Sequence, residues 1–580
     1  MSPVSQPRLG VGDGSNESDH YDGQVLLTSR WFRLLGPVAV IVLAAALRLW
    51  NLGSPHALVF DETFYVKDAW TLFNNGYEST WPNNADALFA AGQTNIFQAS
   101  ASFVVHPPLG KWLIALGMAF VGPGSSWGWR IATALIGILA VVLLMLIAKK
   151  LFGSTLLATI AGFLFAIDGN AIVMSRVALL DNSVMFFGLL GFGAVLLDRD
   201  WHATRLAARL AERREAGRDS GWGPVLWWRP WLLAAGLAFG LTSSVKWSGL
   251  YFLAAFGVYV VVVDALARRR AGVPFWLSAA VLKQAPATFL LMVPVAVATF
   301  LASWTGWFVT PGGFYRQWAE SPGAAWTGAF AWVPHSLQSF WHYQVAAYTY
   351  HVNLETPHPY QANPLTWLLM LRPTSMYYRG TSLGQDGCGV DSCAQAITGI
   401  ANPIIWWAAT AAILYLVYRL VRYREWRVGL ILMGMVAGYL PWLMYLNRTV
   451  FQFYTIAFEP YLLLGLTFVI GLILGRVVGP DVRAEGDVQV EAGREAQADA
   501  RARARVDADG QVEAGGDVHA HAHAHAAEPD AGGARLGRAR TVVIFLVVAA
   551  LVSAFFYPLW TGMQTPFLFW QLHIWLPSWR

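Results

Sequence analysis

An all-α fold that crosses a membrane many times is predicted by three features of this 580-residue chain: 56% of its residues are apolar, only 13% are charged, and the apolar ones fall in blocks long enough to cross hydrocarbon. An ordinary soluble domain carries roughly 25% charged residues. At a mean hydropathy of +0.44, no soluble core could hide this much apolar surface. Blocks at 34–49, 129–148, 285–304, 404–420 and 542–557 read as spanning helices, because a helix satisfies its own backbone polar groups in lipid.

Charge placement sets the direction of the spans. Lys149 and Lys150, the 199–229 segment, Arg268 to Arg270, the 422–427 stretch and the arginines before Thr541 all lie between apolar blocks, in a chain of net charge +5. Placing all of them on the cytoplasmic side fits about eleven spans of ~20 residues, with the amino terminus inside and the carboxyl terminus outside. The expected organisation has a disordered cytoplasmic tail at 1–33, with no cleavable signal peptide, and a transmembrane core at 34–475 with structured outer loops at 51–127 and 305–401. A low-complexity cytoplasmic insert at 476–540 and a last helix with an external segment at 541–580 complete it.

In the first outer loop, Phe60, Phe64, Tyr65, Ala69, Leu72 and Phe73 recur at helical spacing, which predicts an amphipathic helix along the membrane surface. Residues 109–121 are apolar but short for a span, and read as interfacial. The second outer loop is long enough to carry function. It holds both cysteines, Cys388 and Cys393, for which a short-range disulfide is expected in an oxidising compartment; a pair alone cannot make a structural zinc site. In the insert, His519, His521, His523 and His525 alternate with Ala, and drift of a low-complexity tract is preferred to metal binding. The 29 tryptophans fit interfacial belts, with sugar stacking as the other role open to them.

Asp61 and Glu62 follow the first span directly. Adjacent like charges at a low-dielectric edge raise one pKa, which suits a proton acceptor poised near neutrality, and Asp61 is the candidate base. The competing explanation is a helix N-terminus, where the macrodipole favours carboxylates. Arg48, Arg130, Arg176, Asp181 and Lys246 lie at the outer ends of apolar blocks. A charge inside a span costs roughly 2.5–3.5 kcal/mol, so such a group implies a polar cavity. There, Arg would offer a phosphate its bidentate fork and Lys a point charge. Alternatively Arg176 and Asp181 pair with each other and Arg48 reaches the headgroups. His106-Pro107 and His358-Pro359-Tyr360 form two rigid corners that either bracket a polar ligand or serve as turns.

Taken in order, Phe60-Asp61-Glu62, the His106 to Lys111 segment, Ser175-Arg176 through Asp181, Ser244 to Gly249, His358-Pro359-Tyr360, Leu371-Arg372-Pro373 with Tyr377-Tyr378, and Trp575 to Trp579 resemble the protein O-mannosyltransferases, glycosyltransferase family 39. The resemblance runs from about Arg48 to the end of the chain, leaving out 481–540. It implies the GT-C architecture and inverting transfer of mannose from polyprenyl-phosphate mannose to Ser or Thr hydroxyls of exported proteins. Asp61 is then the catalytic aspartate and Glu62 supports the site or the acceptor. Arg130 and Lys246 surround the lipid phosphate, and Arg48 stands where the family has an important arginine. Arg176, Asp181, His106, His358 and Tyr360 complete the candidate substrate-binding set. The 305–401 loop is too short for the β-trefoil MIR domain of fungal and animal members, so the likeness is to the bacterial, particularly actinobacterial, ones. They imply a bacterial plasma membrane, an active site on its outer face and transfer that can be coupled to the secretion translocon. Membrane lipid is a partner and nucleic acid is not. No cofactor beyond the lipid-linked donor is required, although a divalent metal remains compatible.

Two other readings compete. One is transfer of another sugar, such as a pentose or aminoarabinose, from polyprenyl phosphate to lipid or polysaccharide. The other is a secondary transporter, whose marks are internal repeats and broken helices meeting at midplane.

Overall fold

The computed structural model describes residues 30–218, 221–477 and 531–580. The expected tail as far as residue 29, and 478–530 of the insert with its alternating histidines, lie outside them. In chain order the elements are α1 (Arg30–Leu49), α2 (Glu62–Asn75), α3 (Leu109–Val121), α4 (Ser126–Phe152), α5 (Thr155–Ile167), α6 (Gly169–Arg176), α7 (Asp181–Glu215), α8 (Pro230–Val245), α9 (Gly249–Arg270) and α10 (Trp276–Ser303). Then come α11 (His335–Val352), β1 (Thr374–Ser382), β2 (Ser392–Gly399), α12 (Pro403–Tyr423), α13 (Trp426–Gly438), α14 (Glu459–Ile473), α15 (Ala531–Thr561) and β3 (Gln564–Pro566).

Among the described residues, six helices are long and apolar enough to cross a bilayer: α4, α7, α9, α10, α12 and the 536–561 part of α15. The pair α5 and α6 makes a seventh if its 61° bend is one broken span, while α3, α8, α13 and α14 are apolar but shorter. Full-length helices alone therefore do not make up the expected count of about eleven. The amphipathic helix expected after residue 60 is α2, and 109–121 is α3.

Two features add to these expectations. The last helix begins at Ala531, inside the stretch assigned to the insert, even though Gly532, Gly533 and Gly537 are poor helix formers. The second outer loop also holds a small sheet: β1 pairs antiparallel with β2 from Thr374 opposite Gly399 to Ser382 opposite Ser392, and β3 joins β2 at Cys393. Cys388 and Cys393 are joined by a disulfide in this hairpin's turn region.

The break between α5 and α6 shows how a chain can bend inside a membrane, where free backbone groups find no water. Asp168 is extended and caps α6, accepting from the amides of Asn170 at 2.9 Å and Ala171 at 3.4 Å and from that of Asn402 at 3.0 Å. The carbonyls freed at the end of α5 are also met. Arg48 donates to Phe165 at 3.1 Å and Ala166 at 3.0 Å, and Ser553 donates to Ile167 at 2.7 Å. Arg176, at the end of α6, returns the contact: its guanidinium caps the end of α1 through the carbonyls of Arg48 at 2.9 Å, Trp50 at 2.6 Å and Asn51 at 3.0 Å.

Gly137 of α4 makes this crossing possible. A Cβ there would lie 2.0 Å from Ser175 Oγ and 3.2 Å from Arg48 Nε, themselves a hydrogen-bonded pair at 3.2 Å. Gly137→Ala is therefore expected to lower the melting temperature of the detergent-solubilised protein, by an overpacking cost of about 1–3 kcal/mol. An unchanged melting curve would show that the crossing has slack.

Candidate active site

The turn from α1 into α2 sets the geometry of the site. Phe60 adopts φ of 50°, in the left-handed region that a bulky residue rarely occupies. Its ring is held edge-on by His358, Phe451 and Phe453 at centroid distances of 6.0, 5.5 and 5.7 Å. Such strain persists only when its surroundings enforce it, and it often marks a functional position. The two carboxylates that follow are sent opposite ways. Glu62 is fully buried, accepting from Arg130 Nε and the Ala178 amide on Oε1, both at 2.8 Å, and from Arg130 Nη2 at 2.8 Å and the Val59 amide at 2.9 Å on Oε2. Asp61 is half-buried and stands at the N-cap position of α2, where the macrodipole favours a carboxylate, but its side chain makes no capping bond. Burial pushes the Asp61 carboxyl up to about 6, with the Lys246 ammonium and a Tyr65 hydrogen bond pulling the other way and Asp181 adding to the rise.

Beside Asp61 lies a cavity of about 250 Å³ lined by His106, Asp181, Lys246, Trp247, Tyr251, Tyr348, His351, Trp442, Tyr445, Arg448 and Tyr454, among others. Lys246 Nζ bonds Asp181 Oδ2 at 2.7 Å and sits 4.8 Å above the Tyr454 ring. Trp247 and Tyr348 stack at 6.0 Å, and the hydroxyls of Tyr251 and Tyr445 meet at 2.7 Å. His106 packs against His351 at 5.0 Å and Tyr65 at 6.0 Å. Burial, then Lys246, push its pKa well below the ordinary value, so it is neutral. An apolar groove of about 190 Å³ between α8, α9, α10 and α11 shares Trp247 and Leu250 with this cavity. Among the described residues no three His, Cys, Asp or Glu side chains group so as to hold a metal ion.

Two family models divide the chain between them. Residues 38–307 match the dolichyl-phosphate-mannose-protein mannosyltransferase model, and residues 336–469 match the C-terminal four-transmembrane region of protein O-mannosyltransferases. The polyprenol-phosphate-mannose–protein mannosyltransferase of Mycolicibacterium smegmatis is 32% identical over 552 residues, covering 93% of this chain and 92% of that one. The chain belongs to the protein mannosyltransferase family. Its namesakes in Mycobacterium tuberculosis and Corynebacterium glutamicum are each 31% identical, covering 93% and 75% of this chain and 91% and 82% of theirs. The fold is also that of a solved relative: the S. cerevisiae protein O-mannosyltransferase Pmt1–Pmt2 complex bound to the sugar donor superposes with a TM-score of 0.61 at 14% identity, over 97% of this chain and 94% of that one. Family membership favours the transferase over the transporter, and the architecture is GT-C.

Within this mannosyltransferase the expected site residues separate into three groups. His106, Asp181 and Lys246 line the cavity and Asp61 stands beside it. Glu62, Arg130, Arg48 and Arg176 are buried and do not line it. Arg130 was expected at the lipid phosphate, but all five of its N–H groups are used, two by Glu62 and the others by the carbonyls of Leu52, Pro55 and Ala57. Arg176 does not pair with Asp181, and Arg48 is buried instead of reaching the headgroups. His358 and Tyr360 form the third group. His358 Nδ1 accepts from the Tyr360 amide at 3.1 Å, and Arg372 lies 5.5 Å above the Tyr360 ring. Arg372 then donates to the Ser578 and Arg580 carbonyls at 2.8 and 2.9 Å, so the corner, whose His358 packs against Phe60, is tied to the 575–580 segment and does not line the cavity.

Arg448 and His351 line the cavity and were missed. A lone arginine at the end of an apolar block was the signal that selected Arg48, and Arg448, between α13 and α14, shows the same signal.

Proposed function

We propose that this protein transfers mannose from polyprenyl-phosphate mannose to Ser or Thr hydroxyls of exported proteins, on the outer face of a bacterial plasma membrane and with inversion. The observation that carries the reading is a half-buried carboxylate, poised near neutrality, beside a cavity lined by cations and aromatic rings. The acceptor oxygen forms the new bond to the sugar's anomeric carbon while the carbon–oxygen bond to phosphate breaks, and both its electrons leave on the phosphate. The hydroxyl proton passes to Asp61, since a hydroxyl is a poor nucleophile until a base removes its proton. The departing phosphate gains negative charge, which cations at the cavity stabilise. A cavity of about 250 Å³ suits the polar head, and the adjoining apolar groove suits the start of the prenyl tail.

Purified protein given polyprenyl-phosphate mannose and a Thr-rich peptide is expected to add hexose to the peptide, read by mass spectrometry. No added hexose would end this reading. The pH profile follows from Asp61. It accepts a proton only when ionised, so kcat/KM should hold above its pKa of about 6 and fall as pH drops through that value. A limb at the ordinary carboxylate value of about 4 would point to a different base.

The proposed orientation has the amino terminus in the cytoplasm and the active site outside. The two cysteines are joined to each other, so an introduced thiol reports alone. Ser321→Cys is expected to react with a membrane-impermeant maleimide on intact cells, and Glu215→Cys only after lysis; the opposite pattern would invert the topology.

A further inference from the structure

Lys246 and Arg448 both line the cavity, and they differ in the acids beside them. Lys246 has Asp181. Among the described residues, Arg448 has no carboxylate partner: Nη2 bonds His351 Nδ1 at 2.9 Å, and Nε is buried with no hydrogen-bond partner. A buried guanidinium donor is costly to leave unmet, so it calls for a partner or a role.

His351 holds the guanidinium through one nitrogen. Its Nε2 lies 2.9 Å from the Val105 carbonyl, which can only accept, so Nε2 carries the proton and Nδ1 offers a lone pair to Arg448. This requires a neutral ring; burial and the Arg448 guanidinium hold the His351 pKa down to about 4. Val105 immediately precedes His106, so the same carbonyl links the guanidinium to the cavity's other histidine. The Trp442 ring, 5.7 Å from the guanidinium carbon, supports one face.

We propose that Arg448 is the residue that grips the phosphate of the lipid-linked donor, with His351 as a positioning residue that holds its fork through Nδ1. This rests on reading the cavity as the donor site. It assigns to Arg448 the task that the resemblance gave to Arg130, whose donors are all in use. An arginine suits the task because its fork meets two phosphate oxygens at once, which a lysine cannot do.

The test is equilibrium binding of a short-chain polyprenyl monophosphate, without sugar, to the full-length protein in detergent, with the KM for the acceptor peptide measured alongside. Wild type is expected to bind. Arg448→Gln is expected to weaken Kd by at least about tenfold, the loss of one charge-assisted hydrogen bond, without changing the peptide KM. Arg448→Lys keeps the charge and is expected to fall in between. If both variants bind like wild type, Arg448 is not the phosphate ligand and the proposed activity stands. If wild type binds no polyprenyl monophosphate, the donor reading itself fails.

For His351, Asn places an acceptor near the Nδ1 position and Gln places a donor near Nε2. His351→Asn should recover lipid-phosphate binding better than His351→Gln. The reverse order would mean that the ring serves only to anchor Val105.

Discussion

Asp61→Asn is expected to lower kcat for mannosyl transfer by about 10²- to 10⁴-fold, the range a positioned general base contributes, while leaving the Kd for polyprenyl monophosphate within a few-fold of wild type. Stability should move the other way. The Asp61 pKa is raised in the folded state, to about 6, so the folded protein holds a proton there more tightly than the unfolded chain does. Between about 4, the unfolded value, and about 6, folding stability from this group falls as pH rises, and above 6 the buried charge is a standing cost. Asn removes that charge, keeps a side-chain oxygen that can accept from Tyr65, and breaks no capping bond, because the Asp61 side chain makes none. The variant should melt at or above the wild-type temperature at neutral pH. A variant that is both inactive and less stable would place Asp61 among the residues that hold the fold. One that still transfers mannose would remove it from the mechanism.

Arg130→Ala is expected to act almost wholly through folding. It would strand the Glu62 carboxylate in a fully buried position and free three carbonyls, those of Leu52, Pro55 and Ala57. Removing one partner of a buried ion pair costs about 3–5 kcal/mol. Arg130→Lys should rescue little, since an ammonium has three donors where the site uses five. The measurement is the melting temperature and monodisperse yield in detergent. A well-folded Arg130→Ala protein with a weakened lipid-phosphate Kd would restore Arg130 to the donor site.

The contrast between these residues marks how far the sequence is legible. Apolar helices, the helix after residue 60 and the placing of Asp181 and Lys246 at a cavity follow from hydropathy and from the cost of placing charge at the end of an apolar block. The direction in which a buried cation points does not. Arg130 and Lys246 have the same signature, yet one faces carbonyls and the other a cavity, because helix breaks and loop turns far along the chain decide which oxygens lack partners. Arg48 illustrates the same limit: its partners, the carbonyls of Phe165 and Ala166, are exposed only because the chain bends at Asp168. The 374–399 hairpin was missed because its alternation is interrupted by a register shift between Ser375 and Tyr377.

The exchange of arginines between α1 and the bent pair has a mechanical corollary. Each helix end holds the other, so neither can slide along its axis without breaking both grips. Asp61 follows twelve residues after the end of α1, and Glu62 beside it is bolted to α4. Asp61 thus follows in the chain from one of two helix ends that hold each other. The opposite wall of the cavity, where α11 and the 442–454 segment meet the α8–α9 turn, has no part in this mutual grip.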